Sequence, residues 1–82
     1  MSTTKKNNNK YKKLFGQNLK KVRESKGLSQ IDLASLCYME KSSISRLENG
    51  RTNATLTTII ALSSALEIHP KDFFDFIIEY NE

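Results

Sequence analysis

A chain of 82 residues has room for one domain with a modest core, and a core of that size leaves a monomer only marginally stable. It is 38% hydrophobic, has no apolar run near the roughly 18 residues of a membrane span, and has no hydrophobic stretch behind its N-terminal Met-Ser-Thr-Thr, so it reads as cytoplasmic, neither spanning a membrane nor secreted. One cysteine and one histidine exclude an internal disulfide and a metal cluster; the formal charge of +4 divides into nine Lys or Arg against one Glu over residues 1–26 and four against eight acids over residues 27–82.

Residues 1–10 are polar, basic and low in complexity, which predicts a disordered basic tail ahead of one domain over 11–82. From Tyr11 a helical period takes over: Phe15, Leu19, Val22 and Lys26 lie on one stripe of a first helix that ends at Gly27. Ser29, with Asp32 three residues on, forms a capping-box pattern for a short second helix, Gln30 to Leu36, that buries Leu33 and Ala34. A turn through Cys37, Tyr38 and Met39 leads to a third helix, Lys41 to Asn49, stopped by Gly50. A fourth follows Thr55 and is expected to bury Leu56, Ile59, Leu62 and Leu66. Pro70 opens a fifth helix carrying Phe73, Phe74, Phe76, Ile77 and Ile78. No stretch alternates as a strand would, so the chain reads as all-α with five helices.

The third helix is the informative one. Ile44, Leu47 and Glu48 share one face; Lys41, Ser42, Ser45, Arg46 and Asn49 share the other. The outer face has no acid and no large apolar residue, and every member can donate a hydrogen bond. That suits either a solvated surface or a face that reads base edges in a major groove. Glu48 sits on the inward face, where a lone carboxylate is costly to bury. Arg23 lies beside Val22 on the apolar stripe of the first helix. Two opposite charges on otherwise buried faces predict a structural ion pair, Arg23–Glu48, joining the first and third helices.

Three stretches together resemble the helix-turn-helix domain of phage repressors, Cro proteins and Xre-type regulators. They are Arg23-Glu24-Ser25-Lys26-Gly27-Leu28-Ser29-Gln30 with Leu33-Ala34; Ile44-Ser45-Arg46-Leu47-Glu48-Asn49-Gly50-Arg51; and Leu66 to Phe74. The resemblance implies a five-helix lambda-repressor-like DNA-binding domain with its helix-turn-helix at helices 2 and 3. It implies base contacts from Lys41, Ser42, Arg46 and, more weakly, Ser45. It implies sugar-phosphate contacts from Ser43, Asn49 and Arg51, and from Gln30 a phosphate contact or a brace for the third helix. Backbone contacts fix register, and base contacts give sequence preference. Two positions depart from the pattern. Tyr38 stands where the family often has glycine, and must accept either a strained backbone or a different turn. Glu40 stands where Ser or Thr commonly caps the third helix; its charge suits a helix N-terminus but repels phosphate.

Other residues read more plainly. Cys37 reads as a small core residue, His69 as a helix cap, and Asp72, Asp75, Glu79 and Glu82 as a solvated face. The basic tail is either solvation or a source of phosphate contacts. The last helices carry more apolar surface than one core needs. Ile60, Phe76, Ile77, Ile78 and Tyr80 are therefore expected at a homodimer interface. No nucleophile–base constellation can be assembled, and no cofactor or small-molecule ligand is implied. The expected partners are double-stranded DNA and a second copy of the chain, in a regulator similar to restriction-modification controller proteins or Cro-like repressors. The alternative is an antitoxin or adaptor whose main role is binding a partner protein.

Overall fold

Capping places the helices. The Ser29 hydroxyl accepts from the Asp32 amide at 3.0 Å, and the Asp32 carboxylate accepts from the Ser29 amide at 2.9 Å. Both halves of the capping box are thus closed, and α2 runs Gln30–Cys37. Thr55 caps α4, Leu56–Leu66, through the Thr58 amide. In this computed structural model, which describes residues 2–80, α1 spans Ser2–Ser25 and α3 spans Lys41–Glu48. A short 3-10 helix, Pro70–Phe74, follows α4, and among the described residues there is no strand.

The core is one cluster: Phe15 and Leu19 from α1, Leu33 and Ala34 from α2, Ile44 and Leu47 from α3, Leu62 and Leu66 from α4, and Phe73 from the 3-10 helix. Every element contributes, so none of the short helices has to be stable alone. Gly16 is buried where α1 crosses the end of α3. A Cβ there would come within 2.5 Å of the Glu48 carbonyl oxygen, so the close approach of the two helices requires glycine.

Three expectations are corrected. Among the described residues the fifth α-helix is absent. Pro70 does open a helical turn, but the chain leaves it at Asp75 (φ −78°, ψ 74°), where the Phe76 amide donates to the Phe74 carbonyl at 2.8 Å in an inverse γ-turn. Asn18 on α1 donates to the carbonyls of Phe73 and Asp75, and Phe76 stacks on Tyr11 with ring centroids 5.6 Å apart. Packing on α1 outweighs continuation of the helix. Leu56 is 74% exposed rather than buried, because it opens α4 beyond the stripe of Leu62 and Leu66. α1 begins at Ser2, well before Tyr11. Apolar periodicity starts at Tyr11, but neither Gly nor Pro interrupts the polar residues before it.

Candidate nucleic-acid interface

α3 is held by charge as well as by its apolar side. Arg23 reaches across from α1 with a two-pronged grip on Glu48, its Nε donating to Oε2 at 2.6 Å and its Nη2 to Oε1 at 3.1 Å. The side chains are 8% and 2% exposed. A third arm, Nη1, donates to the Leu28 carbonyl at 2.7 Å, which ties the α1–α2 loop to the same group. Gln30, first in α2, donates from Nε2 to Glu48 Oε1 at 2.9 Å. One carboxylate therefore joins three helices. The hydrogen bond to Glu48 raises the Arg23 guanidinium above its ordinary value; burial opposes this, and the charges of Glu48 and Glu24 add to it. Among the described residues no buried side-chain polar atom lacks a partner.

With Ile44, Leu47 and Glu48 turned inward, Lys41, Ser42, Arg46 and Asn49 are exposed on the opposite side of α3, and Ser43 and Ser45 are half-buried. Asn49 Nδ2 donates to Ser45 Oγ at 3.4 Å, so Ser45 is partly engaged within the helix. Ser43 and Arg46 border a recess of about 220 Å³ shared with Thr52, Asn53, Thr55 and Thr58, between α3 and the start of α4. Arg51 is exposed just beyond, and its amide donates to the Arg46 carbonyl at 2.9 Å. Lys41, Ser42, Arg46, Asn49 and Arg51 thus present one acid-free run of donors. Glu40 flanks it at the N-cap without making a side-chain cap bond.

The turn before α3 resolves the choice left by Tyr38. Its backbone is left-handed (φ 56°, ψ 41°), and its amide donates back to the Ala34 and Ser35 carbonyls. The turn keeps the geometry that glycine would take, and tyrosine bears the strain. Cys37 is half-buried, with its thiol 3.8 Å from the Ala61 carbonyl oxygen, and desolvation pushes its pKa up. His69 occupies the N-cap position of the 3-10 helix without a side-chain cap bond. Of the residues expected at a homodimer interface, Ile60, Ile77, Ile78 and Tyr80 are exposed, Ile77 and Tyr80 by more than 80%. Phe76 is instead half-buried against Tyr11. Of the two roles the resemblance leaves to Gln30, its bond to Glu48 is the brace for α3; Gly16 carries no sequence signal beyond a glycine inside a helical period. No helix among the described residues is long and apolar enough to cross a membrane.

Comparison with known proteins agrees with this architecture. The helix-turn-helix family model matches residues 19–73. Control protein C.BamHI of Bacillus amyloliquefaciens is 41% identical over 69 residues, covering 83% of this chain and 85% of that protein. The HTH-type transcriptional regulator y4dJ of Sinorhizobium fredii is 35% identical over 57 residues, covering 70% and 74%. The crystal structure of the restriction-modification controller protein C.AhdI from Aeromonas hydrophila superposes with a TM-score of 0.75 at 40% identity, covering 77% of this chain and 96% of that one. The chain belongs to the helix-turn-helix family of Xre/Cro-like DNA-binding transcription regulators.

Proposed function

We propose that this chain is a controller-type transcription regulator that binds as a homodimer to a two-fold operator, with α2 and α3 as its helix-turn-helix and α3 in the major groove. The observation that carries the reading is the acid-free outer face of α3, fixed from behind by Arg23, Gln30 and Glu48. Lys41, Ser42 and Arg46 read bases, with Ser45 secondary because it is engaged by Asn49. Ser43, Asn49 and Arg51 hold the sugar-phosphate backbone. Gln30 braces α3 and keeps a second amide N–H for a phosphate. The basic residues ahead of Tyr11 add affinity without sequence preference. The controller assignment rests on the likeness to control protein C.BamHI and controller protein C.AhdI.

The dimer face takes Ile60, Ile77, Ile78 and Tyr80, all exposed in one chain. Leu56, one turn before Ile60, extends it along α4. Selection from random duplex DNA tests the reading. The expected result is a site of two inverted half-sites whose centres lie about 34 Å apart or a multiple of that. Enrichment of a single half-site bound by one chain would remove the dimer. No enrichment at all would remove sequence-specific binding.

A further inference from the structure

A second set of donors lies beside the end of α3, on a different helix. Lys13, Gln17 and Lys20 follow one another at i, i+4 and i+7 on α1, and all three are exposed. Together with Glu48 and Asn49 they line a shallow groove of about 220 Å³ between α1 and α3. The carboxylate in the floor is already committed: Glu48 is held by Arg23 and Gln30 and its side chain is 2% exposed. What the groove offers to solvent is therefore two ammonium groups and two primary amides.

Its position is fixed by backbone contact. A Cβ on Gly50 would meet the Lys13 Cγ at 2.6 Å and Cα at 2.9 Å, so the chain turns out of α3 directly against Lys13. Gly50 lies between Asn49 and Arg51, both exposed. The α1 stripe is thus continuous with the C-terminal end of the donor face of α3. The acid nearest along this stripe, Glu24, comes one turn after Lys20 and lies 3.8 Å from Arg23 Nη2.

We infer that Lys13, Gln17 and Lys20 form a ledge that grips the phosphate backbone of the DNA strand passing the C-terminal end of α3. The inference rests on the placement of α3 in the groove. A lysine beside the backbone meets phosphate as a point charge, and an amide donor on the same stripe adds a phosphate hydrogen bond. The ledge therefore supplies affinity and register while leaving sequence preference to α3. It also sets how far α3 can tilt out of the groove at that end.

The test is the salt dependence of binding by the full chain, measured on its selected operator and on random duplex. Lys13→Gln with Lys20→Gln is expected to lower the log–log salt slope by about 1.8 per chain, since each phosphate contact contributes about 0.9. Affinity should fall by the same factor on both DNAs. Gln17→Lys is expected to steepen the slope by about 0.9. All three side chains are exposed, so the thermal midpoints should match the parent. An unchanged slope in both variants, with Arg46→Ala still losing sequence preference, would overturn the ledge and leave α3 in the groove. A loss confined to the operator, absent on random DNA, would also overturn it. If Arg46→Ala itself left preference intact, the placement of α3 would fail, independently of the ledge.

Discussion

Glu48 accepts from Arg23 and Gln30 in a site almost closed to water. Glu48→Ala would leave Arg23 buried with only the Leu28 carbonyl and the exposed Glu24, whose carboxylate is 3.8 Å away. Stranding a buried charge costs about 3–5 kcal/mol, a large share of a small domain's stability. Urea unfolding should move accordingly. An unchanged midpoint with weaker DNA binding would instead make Glu48 part of the interface. The pair was legible because both charges interrupt apolar stripes, and a buried charge needs a partner. The role of Gln30 was legible only through the family resemblance, as one of two alternatives, since a polar residue at a helix start fits many roles. Tyr38 presents the opposite balance. Its left-handed backbone costs roughly 1–2 kcal/mol, and its side chain is 98% exposed, so little packing offsets that cost. Tyr38→Gly should stabilise the fold by up to about 1 kcal/mol once the extra backbone freedom of glycine is subtracted, seen as a slightly higher urea midpoint. A fall in stability would mean that the ring packs against something in solution.

The elements divide by the kind of signal that specifies them. α2 and α4 are bounded by side-chain caps, and those caps are readable because Ser, Thr and Asp sit at fixed offsets. The α2 cap also titrates. Bonds from the Ser29 amide, and then the Ser29 hydroxyl, lower the Asp32 pKa below its ordinary 3.8. A depressed carboxylate stabilises the fold above its unfolded pKa and loses that contribution as pH falls through the folded value. Asp32→Asn should therefore lower the thermal midpoint at pH 7, with the gap to the parent closing as pH falls below about 3.8. A gap that stays constant with pH would mean the charge of Asp32 is irrelevant to the cap. The stretch after Pro70 satisfies a helical period through Phe73, Phe74, Ile77 and Ile78, yet it forms only a 3-10 turn. What breaks the helix is tertiary: Asn18 captures the carbonyls of Phe73 and Asp75, and Phe76 goes to Tyr11. No local pattern records that competition. The early start of α1 escaped for the converse reason, since a helix without an apolar stripe leaves no periodic trace.

At the scale of the whole molecule, charge is sorted by position. Lys13 and Lys20 of α1 border the end of α3, next to the donors of α3 and Arg51. The C-terminal segment folds back on α1, where Glu79 accepts from Lys10 at 3.0 Å and its amide donates to the Tyr11 hydroxyl at 2.9 Å. The same fold-back leaves Ile77 and Tyr80 exposed, so it shapes the face proposed for the partner copy. A two-fold pair would present two α3 helices to one side of a duplex, and every base contact would then appear twice. Arg46 is the residue on which this account turns. It is exposed near the middle of the donor face, and its planar fork matches the O6 and N7 edge of guanine. The direct measurement is the affinity of Arg46→Ala for operators carrying each base at each position. The expected result is a loss of about 1–3 kcal/mol on the parent operator, with preference relaxed at one base pair in each half-site and kept elsewhere. A uniform loss on operator and random DNA alike would make Arg46 a phosphate contact and contradict the placement of α3 as the reading helix.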